Sequence, residues 1–263
     1  MTNQKSNRWF FTADCHFGHA NIIKYCNRPF LNRVDQGLCD LIKKGIIDAR
    51  EVKIDQASVE LMDQTITQSI NSVVMPDDNL VIVGDFCLAK GRNRKNDILR
   101  YRNQIECKNV YLILGNHDDR NDVKDVFTAC YENYLFNING QFVFTSHYPA
   151  RSWDRAFYGA WMIYGHVHNL YHDNDNGNLS KNQAKSLEEG FSEILAKWNT
   201  PHAVNIVPEL LQACTCLYGA DLTLDVGVDN VRPDKPFGTP WSMDEIREYM
   251  QQKMPKWLAR KQS

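Results

Sequence analysis

The residues with the clearest chemistry in this sequence are histidines and acidic side chains that follow short apolar runs. Five of the eight histidines of the chain lie at such positions. With the neighbouring carboxylates and one amide, the candidate residues are Asp14, His16, Asp85, Asn116, His117, His147, His166 and His168. Imidazole, carboxylate and amide oxygen together suit a divalent transition ion such as Mn²⁺, Fe²⁺ or Zn²⁺. These residues offer more ligands than one tetrahedral metal site can use. Their number fits two ions about 3.5–4 Å apart that share one carboxylate.

The apolar runs that precede these residues read as buried β-strands that end in polar surface loops. Because ligand sites of α/β sheets form at the carboxyl ends of the strands, we expect the candidate residues to lie close together. The predicted strands are Trp9–Thr12, Leu80–Val83, Val110–Leu114, Phe142–Thr145, Trp161–Tyr164 and Leu222–Val228.

Helical periodicity occurs between the predicted strands. Apolar residues recur every three or four positions over residues 59–73 and again over residues 123–130. Capping-box patterns at Ser186–Glu189 and Ser242–Glu245 mark the starts of two further helices. Strands that alternate with helices predict an α/β sandwich.

Composition and charge exclude several classes of protein. The chain has 263 residues, 30 Lys and Arg against 32 Asp and Glu, and a net charge of −2. Proteins that coat nucleic acid or anionic membranes usually carry an excess of basic residues, so the charge argues against that class. We find no apolar run of the roughly 20 residues that a membrane helix requires. The eight cysteines show no repeated spacing, which favours free thiols and predicts a cytoplasmic protein. We expect a single domain over residues 1–263, with insertions near residues 30–58 and 171–218.

Five short motifs, in order and in spacing, resemble those of calcineurin-like metallophosphoesterases. They are Asp14-x-His16, Gly84-Asp85, Gly115-Asn116-His117-Asp118, Ser146-His147 and Gly165-His166-x-His168. The longer stretches from Asp14 to Asn21, from Ser146 to Pro149 and from Leu224 to Asp229 look like a bacterial and phage branch of small phosphoesterases. The resemblance implies a two-sheet α/β/β/α sandwich with small helical insertions.

The resemblance also implies roles for individual residues. One metal ion would bind to Asp14, His16 and His168, the other to Asn116, His147 and His166, and Asp85 would bridge the two. We expect Mn²⁺, with Fe²⁺, Ni²⁺ and Zn²⁺ as alternatives. A hydroxide that bridges the metals would attack phosphorus, and His117, oriented by Asp118, would protonate the leaving group.

The substrate is less well defined by the sequence. His19, Arg120 and Arg151 are candidate phosphate contacts, although a structural histidine and solvated arginines are the alternatives. We expect a phosphodiesterase acting on a small phosphate ester or nucleotide, and we expect no membrane partner. A phosphomonoesterase of nucleotides or sugar phosphates is the nearest rival, and a non-catalytic metal-binding scaffold is a third possibility. Long nucleic acid is disfavoured because the chain has no basic run beyond Lys90–Lys95. The sequence indicates no oligomeric state.

Overall fold

A computed structural model describes residues 7–31, 52–88, 94–150, 152–169 and 222–262, and residues 37–38, 40–42, 44 and 46–48. Its strands are β1 (Trp9–Thr12), β2 (Asn79–Val83), β3 (Asn109–Ile113), β4 (Ala129–Tyr131), β5 (Asn133–Ile138), β6 (Gln141–Ser146), β7 (Trp161–Tyr164), β8 (Thr223–Asp225) and β9 (Trp241–Ser242). Its α-helices are Ala20–Tyr25, Gln56–Val73, Arg94–Gln104, Arg120–Val123 and Met243–Gln262.

The strands form two sheets. The first has the order β4-β3-β2-β1-β9, in which β1 to β4 run parallel and β9 pairs antiparallel with β1. The second has the order β5-β6-β7-β8, and β6, β7 and β8 run parallel. All five residues of β2 are buried, as expected for a central parallel strand that is covered on both faces.

Alternating side chains of the first sheet enter two different cores. Leu80 and Ile82 pack with the apolar stripe of helix Gln56–Val73. Val81 and Val83 pack against β6 and β7 of the second sheet. The two sheets therefore lie face to face, with helices on the outer face of the first, which confirms the predicted two-sheet α/β sandwich.

The strongest local predictions are confirmed. β1 and β7 have the predicted bounds, and β2, β3, β6 and β8 lie within a few residues of theirs. The predicted helix over residues 59–73 forms as Gln56–Val73. The capping box before helix Met243–Gln262 is also present, because Glu245 N donates to Ser242 Oγ and Ser242 N donates to Glu245 Oε2.

The helix predicted over residues 123–130 is wrong. A helix ends at Val123, and residues 129–131 form β4 instead. Cys130 pairs with Leu112 at the edge of the first sheet, so cross-strand pairing overrides the local helical period. Strands β4, β5 and β9 were not predicted. Residues 171–218, with the capping box at residues 186–189, lie outside the described part of the chain, as does Arg151.

Two further observations bear on the sequence expectations. The five cysteines within the described residues, Cys15, Cys26, Cys87, Cys107 and Cys130, are all free thiols. Across the same part of the chain, every helix is too short or too polar to cross a membrane.

Candidate metal centre

The predicted site residues converge at the carboxyl ends of β1, β2 and β3 in the first sheet and of β6 and β7 in the second. Backbone hydrogen bonds join the loops that carry them. Asp14 N donates to Gly84 O (3.0 Å) and His16 N donates to Asp85 O (2.9 Å). Gly165 N donates to His147 O (3.1 Å) in the second sheet. These bonds join the loop after β1 to the loop after β2, and the loop after β7 to the loop after β6.

Five of the residues predicted to bind metal have left-handed backbone conformations. They are Asp14, His16, Asp85, His166 and His168, with φ between 48° and 70°. Such conformations cost residues with a Cβ roughly 1–3 kcal/mol each and cluster at functional sites, where the surrounding structure enforces them. At these five residues the surrounding structure holds the backbone in the left-handed conformation, and this conformation sets the positions of the side chains predicted to bind metal.

Asp85 lies at the centre of the cluster. Its Oδ2 atom is 3.4 Å from Nε2 of His16 and 3.5 Å from Nε2 of His147. Its Oδ1 atom accepts a hydrogen bond from His117 N (2.9 Å). Burial favours the neutral acid, but the hydrogen bond from His147 and the charges of His147 and His16 lower the pKa of Asp85 to about 2. An ionised carboxylate thus stands between two imidazoles that come from different sheets.

Potential metal ligands form four groups among the described residues, and Asp85 belongs to two of them. In each group one ligand atom per residue lies within 4.8 Å of the others. The first group is Asp14, His16 and His168, and the second is Asp85, His147 and His166. Oδ1 of Asn116 is 3.1 Å from Nε2 of His147, so Asn116 belongs beside the second group. The other two groups are His16, Asp85 and His117, and Cys26, His168 and Asp229. The first two groups bring together residues that the sequence assigns to the two metal positions.

Two observations show that the cluster fits divalent cations. Nε2 of His16 is buried, and no hydrogen-bond partner reaches it from the described residues. Asp14 is fully buried, and this burial raises its pKa to about 7. A cation would use the lone pair of His16 and compensate the buried charge of Asp14. The mixed nitrogen and oxygen donors suit transition ions.

Two glycines allow the loops to approach this closely. Gly84 has φ +89°, and a Cβ atom on it would overlap the imidazole of His147. A Cβ atom on Gly115 would overlap both the carboxylate and the backbone nitrogen of Asp85. Gly115 is therefore required by space, and Gly84 is required both by space and by its left-handed backbone conformation.

His117 lies at the rim of the cluster. Its side chain is 36% exposed, and its Nε2 atom is 4.0 Å from Oδ2 of Asp85. Its backbone is held on both sides, because His117 N donates to Asp85 and His117 O accepts from Nη2 of Arg94 (2.8 Å). The imidazole thus faces both the buried cluster and solvent.

Asp118 differs from the expectation that it orients His117. Its Oδ2 atom accepts from Asp85 N (2.8 Å) and Gly115 N (2.9 Å), and its Oδ1 atom accepts from Phe86 N (3.1 Å). Burial raises the pKa of Asp118, and these three donors oppose the rise. The carboxylate fastens the loop after β2 to the loop after β3.

The predicted substrate contacts fall into three situations. His19 lies at the site, with its Nδ1 atom 3.4 Å from Nδ1 of His16. Arg120 forms an exposed ion pair with Glu132 (2.9 Å), which differs from the expected phosphate clamp. Arg151 lies outside the described residues.

Three further residues adjoin the site without having been assigned to it. Asp229 accepts from Nδ1 of His168 (2.7 Å), and the buried Arg28 binds Asp229. The hydroxyl of Tyr148 is 3.5 Å from Oδ1 of Asn116. Asp229 follows a predicted strand, and this is the same pattern that identified the candidate metal ligands. Arg28 carries no comparable signal in the sequence.

Comparisons with known proteins agree with this geometry. The family model described as calcineurin-like phosphoesterase matches residues 10–234. An uncharacterised protein of Methanocaldococcus jannaschii, MJ1445, is 32% identical over 161 residues, which is 60% of this chain and 68% of that protein. The crystal structure of AQ665, a protein of unknown function from Aquifex aeolicus, superposes with a TM-score of 0.53 at 19% identity. That superposition covers 93% of this chain and all of AQ665, and it indicates a shared fold.

Proposed function

The chain belongs to the calcineurin-like phosphoesterase family and is a metal-dependent hydrolase of phosphate esters, and we propose that its substrates are small phosphodiesters. The observation that carries the two-metal chemistry of this proposal is the position of Asp85. One ionised carboxylate lies between His16 and His147, each of which belongs to a separate group of potential ligands. This is the arrangement that a dinuclear hydrolase requires.

The proposed metal positions follow the two groups. Asp14, His16 and His168 would hold one ion, Asn116, His147 and His166 would hold the other, and Asp85 would contact both. Bound there, two divalent ions activate a water molecule and neutralise charge on the phosphate. The donor set of four imidazoles, two carboxylates and one amide suits transition ions, among which we favour Mn²⁺, with Fe²⁺, Ni²⁺ and Zn²⁺ as alternatives.

His117 is the proposed acid for the leaving group. Its imidazole is partly exposed and lies 4.0 Å from the central carboxylate, so a substrate bound beside Asp85 would place its ester oxygen within reach. Because the backbone N–H of His117 donates to Asp85, the imidazole is held close to the place proposed for the reacting phosphate. Diesters with poor leaving groups would depend most strongly on this proton.

The charges around the site favour diesters over monoesters. A monoester carries about one more negative charge than a diester and benefits from additional cationic contacts. The described arginines nearby are committed elsewhere, since Arg94 pairs with Asp122 and Arg120 pairs with Glu132. Arg28 is buried and its charge is balanced by Asp229. A singly charged diester therefore suits this part of the site better.

Hydrolysis of bis-p-nitrophenyl phosphate by metal-stripped protein reconstituted with excess Mn²⁺ tests the proposal. We expect metal-dependent release of nitrophenolate, at a higher kcat/KM than for the monoester p-nitrophenyl phosphate. Asp85→Asn is the control, because it keeps the shape of the side chain and removes the charge between the two metal positions. A preference for the monoester would favour the phosphomonoesterase alternative, and no turnover of either ester would favour the scaffold.

A further inference from the structure

Three polar side chains, each hydrogen-bonded to the next, lead from the candidate metal ligands into the protein core. Nδ1 of His168 is 2.7 Å from Oδ2 of Asp229. Because an ionised carboxylate only accepts hydrogen bonds, Nδ1 must carry a proton, so Nε2 is the nitrogen that can offer a lone pair to a metal ion. The contact therefore selects the tautomer that a metal ion at Nε2 needs.

Asp229 is itself held by a buried arginine. Nε and Nη2 of Arg28 donate to the two carboxylate oxygens of Asp229, at 2.9 and 2.8 Å. The side chain of Arg28 is fully buried, and that of Asp229 is 5% exposed. The two parallel hydrogen bonds fix the plane of the carboxylate, which a single contact does not do.

The same guanidinium also grips the loop after β1. Nη2 of Arg28 donates to the carbonyl oxygen of Asp14 (2.7 Å), and Nη1 donates to that of Cys15 (3.1 Å). Arg28 thus contacts the backbone that carries Asp14 and His16, and through Asp229 it also reaches His168. One cation ties together all three potential ligands of the first metal position.

The second metal position has a different support. Nδ1 of His147 is 3.0 Å from the carbonyl oxygen of Val83, which is a neutral acceptor. A carboxylate raises the basicity of a ligating imidazole more than a carbonyl does, and it holds the ring more firmly. The two positions are consequently unequal in the groups that orient their histidines.

We propose that Asp229 and Arg28 are positioning residues that set the affinity of the metal position formed by Asp14, His16 and His168, and that the other position does not depend on them. This inference rests on the proposed assignment of ligands. Loss of a partner of this kind lowers metal affinity by about 10–100-fold.

Calorimetric titration of the metal-free full chain with Mn²⁺ tests the proposal. Wild type should bind two ions, and Asp229→Asn should weaken one event by about 10–100-fold and leave the other within about twofold. Asp78→Asn is the matched control, because it breaks the Arg8–Asp78 ion pair before β2, at the opposite end of the strand from Asp85. The control should change neither event. Arg28→Lys, which keeps the charge and loses the fork, should weaken the same event by a smaller factor.

The outcomes separate the positioning role from the proposed function. Unchanged binding in Asp229→Asn, or equal weakening of both events, would overturn the positioning role. If Asp229→Asn does not fold, as judged by circular dichroism, the result for Arg28→Lys decides on the same criterion. A wild type that binds two Mn²⁺ but hydrolyses no ester would refute the proposed function and leave the metal-affinity result intact. A wild type that binds no Mn²⁺ would refute both.

Discussion

Replacing Asp118 by asparagine separates two roles for this carboxylate. In the structure both of its oxygens accept backbone N–H groups, from Asp85 and Gly115 on one side and from Phe86 on the other. Asparagine keeps one acceptor oxygen and replaces the second by an NH₂ group. Oriented with its oxygen toward Asp85 and Gly115, the amide would direct N–H toward the N–H of Phe86.

The expected cost follows from these contacts. Loss of this acceptor leaves the buried N–H of Phe86 unsatisfied, which costs about 1–3 kcal/mol. Asp118→Asn should therefore lower the free energy of unfolding by about 1–3 kcal/mol, which is measurable against the roughly 5–15 kcal/mol of a typical domain. Mn²⁺ affinity should fall as well, because the loop of Asp85 loses its anchor.

Urea unfolding of the metal-free protein measures the first effect, and calorimetric titration with Mn²⁺ measures the second. Asp119→Asn is the matched control. It is the exposed neighbour that caps helix Arg120–Val123, and asparagine caps as well as aspartate does. If Asp118→Asn kept wild-type stability and metal affinity and slowed only esters with poor leaving groups, Asp118 would act on His117, and the reasoning from backbone contacts would be refuted.

Three further perturbations test other parts of the site. His117→Ala should retain both metals and slow alkyl diesters at least tenfold more than nitrophenyl diesters, and equal slowing would remove the acid role. Gly84→Ala should displace His147, so calorimetry should show weaker Mn²⁺ binding, whereas normal binding would mean that the loop can shift. Asp63, in helix Gln56–Val73, accepts a hydrogen bond from Gly18 N in the loop that carries His16 (3.1 Å), and burial raises its pKa from 3.8 to about 6. Its stabilising contribution is therefore present below pH 4 and is lost as the pH rises through about 6. Asp63→Asn, which stays neutral, should reduce the loss of stability between pH 4 and 7.5 by up to about 3 kcal/mol in urea unfolding, and an unchanged pH profile would contradict this.

The parts of the fold that sequence predicts well are those with local causes. β1 and β7 are short apolar runs that end in polar loops, and both have the predicted bounds. The site residues could be predicted from the sequence for the same reason, because the carboxyl ends of parallel strands lie at one edge of the sheet. The residues after β1, β2, β3, β6 and β7 accordingly converge as predicted.

The parts that sequence did not predict depend on contacts between distant segments. β4 forms because Cys130 pairs with Leu112, and the local period alone favoured a helix. Arg28 and Asp229 are 201 positions apart, and neither residue indicates the other. Asp118 belongs to a motif that suggests a partner for His117. In the structure Asp118 instead accepts from backbone N–H groups, which a pattern of side chains does not reveal. In each case tertiary pairing decides the role of the residue.

The buried carboxylates around the metal centre follow a common rule. Asp14 accepts from His166 N, Asp85 from His117 N, and Asp225 from Asn169 N, so each is bonded to the backbone of a loop that follows a different strand. These bonds offset part of the desolvation of the carboxylates, and they also hold the left-handed loops in place. The protein's own contacts therefore contribute to the placement of these side chains. The backbone contact of Asp85 in this way fixes the carboxylate that we propose to serve both metal positions.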